Sequence, residues 1–481
     1  MFYGRQSVLA QLGGLLTKKT ASLVTCRGRR RIGKSTLIAR FAEVNNLRFL
    51  SFDGLPPRKG MTNCVQLENF RHQLSEHVGY KVEQLTSWAE AFGALDRSIP
   101  DDGQWTVVLL DEISWMGAYD PDFAGYLKSA WDRKLMRHAR LVLVLCGSVS
   151  SWIADNILNS TGFVGRDSLD ILVGELAPNE CLGFWGNMVE RTSLREIIDL
   201  LSVTGGVPKY LEEIRPELSA GENIRRMCFQ RGGLLFNDFS QIFNDVFGQD
   251  SLSKRKILEA MASGPRNAAE IAAQIGKPSN GHLSRALEEL QLAGFIAEHE
   301  SVNPASGLTV REKRYRICDN YTRFYLHFIQ PRVRSIRSGV TEFRTLDGLK
   351  GWDVMAGLQF ETFVLNNIAL LLPLLGLDRA LVVSAAPYRH NRESRGGGCQ
   401  IDLLVQTRRS AVVVEMKRRE LIDESVVDQI AEKVRRLPVR RGVSVRTALV
   451  YEGRLAPGIA EDGGIDMLIP VSRFFESSNS L

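Results

Sequence analysis

The sequence predicts a multidomain α/β protein: a parallel sheet over residues 1–215, a small helical module with a hairpin further on, and a second α/β unit over residues 352–481. Three observations predict it. The length, 481 residues, exceeds what one hydrophobic core organises, so two to four domains are expected. Up to about residue 215, apolar strand-like runs alternate with amphipathic helical stretches, the pattern of a parallel sheet. From residue 352 that alternation returns, after an intervening stretch of helical periodicity.

Taken in order, the first strands fall at residues 22–26, 48–52, 106–110 and 140–146, each an apolar run. Residues 216–252 read as a helical connection. Within 253–320, three short helices (254–262, 268–275, 281–290) precede two hairpin strands (292–299, 312–317), which is a winged-helix arrangement. Residues 321–351, aromatic and basic, read as a linker region with helical content. The last unit is expected to hold a helix from 355 to about 372, strands near 381 and at 400–406 and 411–417, a helix at 424–437, and strands near 446–451 and 467–470.

Composition narrows the class. Hydrophobic residues make up 44% and charged residues 24%, close to average usage, so long disorder is not expected. A net charge of +6 permits nucleic-acid binding without demanding it. The seven cysteines include no CxxC pair, and Cys26 and Cys146 lie in apolar runs, as reduced, buried thiols of a cytoplasmic protein do. The seven histidines form no HExxH or zinc-type cluster. Residues 1–5 carry no leader pattern, and the apolar stretch 368–377 is too short for a bilayer and contains Pro373. A soluble, cytoplasmic chain with no membrane partner is expected.

Residues 28 to 36 read Gly28-Arg-Arg-Arg-Ile-Gly33-Lys34-Ser35-Thr36, a full GxxxxGK[ST] phosphate-binding loop between an apolar strand and a helix-like stretch. Such a turn aims backbone N–H groups and the positive end of a helix dipole at one point, where a triphosphate's charge can sit. ATP with Mg²⁺ is the expected ligand: Lys34 reaches the β and γ phosphates and Ser35 holds the metal. The apolar run 106–110 ends in Asp111 and Glu112, suited to bind the Mg²⁺ shell and to polarise the attacking water. Acids after a strand also serve as helix caps.

Three further positions follow. Ser148 ends another apolar strand and is suited to sense the γ phosphate, or to cap a helix. Arg166 stands in a glycine-flanked turn, from which an arginine can reach a phosphate in its own or a neighbouring subunit, or simply be solvated. Pro208, in Gly205-Gly-Val-Pro208, makes a turn that can pack beside the adenine or merely join two helices. Together with residues 2–5, 109–114 and 146–152, these stations resemble the bacterial and archaeal AAA-like P-loop ATPases related to the signal-transducing STAND class. The resemblance covers roughly the first half of the chain. It implies ATP bound and slowly hydrolysed as a conformational switch, with the GGxP turn contacting the nucleotide.

In the C-terminal unit, Asp402 opens one strand, and Glu415 and Lys417 lie two apart on the next, hence on one face. Two carboxylates on adjacent strands can chelate Mg²⁺, and a lysine beside them can position or deprotonate a water. Charges alternating on a strand are otherwise ordinary for a solvent face. This constellation resembles the PD-(D/E)xK nuclease core, although no proline precedes Asp402. The resemblance implies that Glu361 completes the acidic set and that Gln429 adds a polar group from the next helix. Arg408, Arg409, Arg418, Arg419, Lys433, Arg435, Arg436, Arg440 and Arg441 are candidate phosphate-backbone contacts. In the winged helix, His282, Ser284 and Arg285 lie on the helix that usually enters a DNA groove, though such modules also dock proteins.

An ATPase module, a winged helix and a nuclease-like tail in this order resemble a prokaryotic family whose tail was long listed as a domain of unknown function. The expected function is an ATP-dependent switch controlling a Mg²⁺-dependent nuclease domain that acts on nucleic acid, plausibly in genome defence. The alternative is a non-cutting ATPase regulator that binds DNA or a protein partner. A homo-oligomer or a regulatory protein partner fits either.

Overall fold

Five strands, β1 (Ser22–Gly28), β2 (Arg48–Asp53), β3 (Thr106–Asp111), β4 (Leu141–Gly147) and β5 (Asp167–Val173), form a parallel sheet in the order β2-β3-β4-β1-β5. This computed structural model describes residues 2–147, 150–153, 156–157, 163, 165–310, 312–340, 345–390, 398–461 and 463–476. β3 and β4 are buried at every position, because a parallel sheet is covered on both faces and its inner strands are apolar throughout. β5 was not expected. It is an edge strand whose alternating, partly exposed residues lack the apolar run that marks the other four.

The described residues divide into two compact units. The first is Met1–Leu176 with Val207–Lys209 and Asn244–Gly248; the second is Ala177–Gly206, Tyr210–Phe243 and Gln249–Leu481. By contact, the chain therefore divides at Leu176 rather than at residue 215. The sheet is complete at β5, and the helix Leu194–Thr204, buried from Ile197 to Thr204, packs with later elements of the second unit. The first unit's core is aromatic on one side of the sheet, with Phe52, Phe70, Trp88, Phe92 and Phe123 in mutual ring contact.

In the second unit, the helices Ser251–Met261, Ala268–Ile275 and Gly281–Leu292 accompany a small antiparallel sheet of β6 (Arg266–Asn267), β7 (Ile296–His299) and β8 (Arg314–Ile317). Within 321–351, expected as a linker region with helical content, residues 321–329 contribute to the core. Tyr321, Phe324 and Phe328 are at most 1% exposed, because their aromatic side chains recur at helical spacing and pack inward.

The C-terminal sheet runs β13-β12-β11-β10-β9, made of β9 (Val382–His390), β10 (Cys399–Thr407), β11 (Ser410–Ile422), β12 (Ser444–Leu455) and β13 (Met467–Pro470). β9, β10 and β11 are antiparallel neighbours, whereas β11, β12 and β13 are parallel. The long helix expected over 355–372 is two helices, Trp352–Asn366 and Ile368–Leu374, bent by 77°. The break falls at Asn366-Asn367, residues that favour helix ends over interiors. Among the described residues, no single helix is long and apolar enough to cross a membrane.

Candidate nucleotide and metal sites

The phosphate loop leaves the carboxyl end of β1, and the helix Lys34–Val44 starts from Gly33. Gly33 has φ +86°, and no side chain caps the helix, so its first N–H groups face the loop's concavity. Gly28 must be glycine because a Cβ there would stand 2.4 Å from Val173 O on β5. Lys34, only 6% exposed, donates from Nζ to Gly28 O and Arg29 O, both at 3.1 Å. The loop is held from outside as well: Arg5 donates to Ile32 O (3.3 Å) and Gly174 O (2.6 Å), and the Arg30 guanidinium lies 5.4 Å from the Trp115 ring centre.

Ser35 Oγ donates to Asp111 Oδ2, which brings the loop and the end of β3 together across the intervening β4. Thr36 is exposed beside it at the helix start. Glu112 follows with φ +48°, and Arg31 in the loop has φ +67°. Left-handed backbone at non-glycine residues costs about 1–3 kcal/mol each and gathers where function demands it. Asp53, level with Asp111 at the end of β2, has a carboxyl raised above its ordinary value by burial and then by the Asp111 charge. Acids that repel one another beside a lysine and a hydroxyl suit a hard cation with oxygen ligands.

The remaining nucleotide-site positions separate. Pro208 stands beside the loop, its Cγ 3.8 Å from where a Gly33 Cβ would be. Arg166 makes a two-pronged ion pair with Asp132, at 2.6 and 3.0 Å. It precedes Asp167, which is level with Leu23 near the start of β1, whereas the phosphate loop leaves the far end. Five strand residues span about 17 Å. Arg166 thus lies toward the end of the sheet opposite the phosphate loop. Ser148 lies outside the described residues.

The second site is built on β10, β11 and two helices. Leu403 faces Val414 in the antiparallel pairing, so Asp402 and Glu415, one step further on each strand, come level on one face. A bulge between Ile401 and Leu404 releases Asp402 from β9, and its Oδ2 accepts from Met416 N at 2.9 Å. Lys417 Nζ donates to Glu415 Oε1 at 2.6 Å, and Lys433 Nζ, from the helix Ser425–Arg436, donates to Glu415 Oε2 and lies 4.0 Å from Asp402 Oδ1. Glu415 is 1% exposed. Gln429, one turn before Lys433, lines the same cleft.

The charges report the crowding. Burial, then Glu415, pushes the Asp402 carboxyl up to about 6. Burial, then Asp402, pushes Glu361 on the helix Trp352–Asn366 up to about 7, against the pull of Arg323. Burial disfavours the Lys433 charge, but Asp402 and Glu415 outweigh it and hold the ammonium above its ordinary value. Glu361, Asp402, Glu415 and Lys417 thus share one electrostatic neighbourhood.

The architecture now has a match. The mixed α/β architecture with its parallel sheet matches the P-loop NTPase fold. The Walker-type ATPase PABY2304 of Pyrococcus abyssi superposes with a TM-score of 0.52 at 18% identity, covering 68% of this chain and 96% of that one. The ORC2 protein of Aeropyrum pernix aligns with a TM-score of 0.44 at 14% identity over 70% of this chain and 94% of its own. In sequence, the uncharacterized protein MJECL04 of Methanocaldococcus jannaschii is 21% identical over 432 residues, 89% of each chain. No protein-family model matches the chain.

Within the P-loop fold, sequence reasoning missed Asp53, whose signal was an acid closing an apolar strand. In the second unit it read Lys433 as a backbone contact rather than a partner of the acids. It also missed Arg323, which is 2% exposed and donates to Gln359 Oε1, Thr362 Oγ1 and Ile317 O at 2.6–2.8 Å. A lone cation in the aromatic run 321–328 was the available signal. Arg418 is corrected: at 4% side-chain exposure and paired with Asp199, it is closed to a phosphate backbone.

Proposed function

We propose that this protein is an ATP-dependent switch whose second unit carries a Mg²⁺-dependent nuclease-like site acting on nucleic acid. The observation that supports it is two separate oxygen-rich sites on one chain, one under a phosphate loop and one on a β-bulge. In the first, Lys34 exchanges its loop carbonyls for phosphate oxygens, Gly28, Gly33 and Thr36 shape the cradle, and Pro208 flanks it. Ser35 and Asp111 would hold Mg²⁺, and Glu112 polarises the attacking water. Arg166 serves a neighbouring copy's phosphate, which makes a homo-oligomer part of this reading.

In the second site, Glu361, Asp402 and Glu415 offer oxygen ligands suited to a hard cation, and a positive charge among them would relieve the crowding at Glu361 and Asp402. Mg²⁺ bound there would activate a water and neutralise a phosphodiester oxygen. Lys417 orients that water through its contact with Glu415, and Lys433 keeps the two strand carboxylates together.

The non-cutting reading has its own support. Among the described residues, no three His, Cys, Asp or Glu side chains stand close enough to hold a metal as they lie. In a module we read as a winged helix, Arg285 is paired with Glu289 at 3.4 Å, and residues after β7 bond to the C-terminal sheet through Gln406 Nε2 to Val302 O (2.8 Å). This favours a docking module over a DNA reader. Purified protein incubated with Mg²⁺, ATP and single- or double-stranded DNA or RNA decides between the readings. Cutting that Glu415→Ala abolishes supports the nuclease; no cutting leaves the regulator, and cutting that survives Glu415→Ala removes this acid cluster as its site. Absence of ATP binding removes the switch.

A further inference from the structure

The boundary between the units crosses the chain twice within five residues: Val207–Lys209 belongs to the first unit, whereas Gly206 and Tyr210 belong to the second. Within the first unit, Pro208 of this tripeptide packs beside Gly33 of the phosphate loop. Within the second, both flanks are anchored. On one side the helix Leu194–Thr204 ends in Thr204, whose hydroxyl donates to Leu200 O and Gly205 O at 3.0 Å, and Gly205 takes φ +58° and ψ −163°, a conformation open to glycine. On the other side Tyr210 is fully buried and its hydroxyl donates to Asp238 Oδ2 at 2.7 Å.

That helix is also tied, inside the second unit, to two of the elements that carry the acid cluster, the helix Trp352–Asn366 and β11. Carbonyls of its last turn accept from side chains, Leu201 O from Asn320 Nδ2 beside the capping Gly205 N–H, and Ser202 O from Gln359 Nε2, both side-chain bonds at 2.8 Å. Gln359 is completely buried and stands two residues before Glu361. Earlier on the helix, Asp199 pairs with Arg418, the residue after Lys417 on β11, and Arg418 Nε is also 3.4 Å from Glu452 Oε2. The pair is largely buried, with side-chain exposures of 4% for Arg418 and 12% for Asp199.

We propose that the helix Leu194–Thr204 is a strut coupling nucleotide occupancy at the phosphate loop to the geometry of the acid cluster, with Gln359 and Arg418 as positioning residues. The inference rests on the proposed reading of the two sites. An 11-residue helix is about 16 Å long and moves as a body. Phosphates entering beside Gly33 displace Val207–Lys209, and between that tripeptide and the helix only Gly205 and Gly206 can absorb the change. What they do not absorb shifts Gln359 and Arg418, and with them Glu361 and Lys417.

Hydrogen exchange of the full chain, read by mass spectrometry with and without Mg²⁺ and a non-hydrolysable ATP analogue, tests the strut. In the wild type, the analogue protects residues 28–36 and changes exchange at 359–363 and 415–420 by about 5-fold or more, the low end of typical coupling between sites. Asp199→Asn keeps the protection at 28–36 and loses most of the change at 415–420. Pro208→Ala, which leaves the Asp199–Arg418 pair intact, weakens the change at both distant segments. Protection at 28–36 with no change at 359–363 and 415–420 in the wild type overturns the coupling while leaving ATP binding in place. No protection at 28–36, with no analogue binding by calorimetry, overturns the nucleotide reading itself and the coupling with it.

Discussion

Glu361→Gln tests the acid cluster through stability rather than through activity. The Glu361 carboxyl sits at about 7 instead of its ordinary 4.5, first because it is buried and then because Asp402 is close. Between those values the folded protein holds a proton that the unfolded chain has released, so stability falls as pH rises through that window and the full penalty applies above pH 7. The difference corresponds to about 3 kcal/mol, and because the side chain is only half-buried, solvent screening trims this to about 2 kcal/mol. Glutamine keeps the shape and removes the charge. In chelator at pH 8 the variant is therefore expected to be about 2 kcal/mol more stable than wild type, a few degrees in midpoint, and at pH 5 the gap should narrow to less than about 1 kcal/mol. Scanning calorimetry at both pH values reads this directly. Adding Mg²⁺ at pH 8 should lift the wild-type midpoint more than the variant's. An equal offset at pH 5 and pH 8 would refute the claim that neighbouring carboxylates hold Glu361 protonated.

Three other perturbations follow from the same geometry. Gly28→Ala drives a Cβ to 2.4 Å from Val173 O, so affinity for a fluorescent ATP analogue should drop at least about 10-fold, or about 1.4 kcal/mol; wild-type affinity would show that the loop does not pack on β5. Lys433→Met leaves nearly buried Glu415 and Asp402 with one lysine fewer, and denaturant unfolding at pH 8 should register a loss of about 2 kcal/mol; an unchanged midpoint would mean that the Lys433–Glu415 contact does not form in solution. Arg166→Ala removes a partly exposed pair with Asp132, so stability and ATP binding should stay close to wild type, while hydrolysis falls only under conditions where the protein self-associates; slower hydrolysis by a monomer at high dilution would contradict the geometry.

Where the fold was legible, burial made it so. β3 and β4 are buried throughout and β1 nearly so, and they stood out as apolar runs, whereas β5 carries Asp167, Ser168 and Asp170 and could not be told from a turn. The stretch 321–351 misled because its aromatic and basic residues resemble an exposed connector until Arg323 is seen to bond inward. At the sites, a motif gave Gly28 to Thr36 their expected places together, since a phosphate loop is local in sequence. Asp53, Lys433 and the Asp199–Arg418 pair depend on strand order and on which helix packs where, and no local pattern encodes either.

By itself the sequence determined the parallel α/β sheet, the phosphate loop and the pairing of carboxylates with a lysine on neighbouring strands, because each follows from short-range periodicity and spacing. Only the tertiary structure decided that Arg166 lies toward the end of the sheet opposite the one its own phosphate loop leaves, and that Lys433 stands among the acids. It alone decided that the helix after the first sheet belongs to the unit that carries the acid cluster. Those outcomes rest on contacts between residues as far apart as Asp199 and Arg418, whose partnership is set by the packing of whole elements and not by anything either residue's neighbours in the chain reveal.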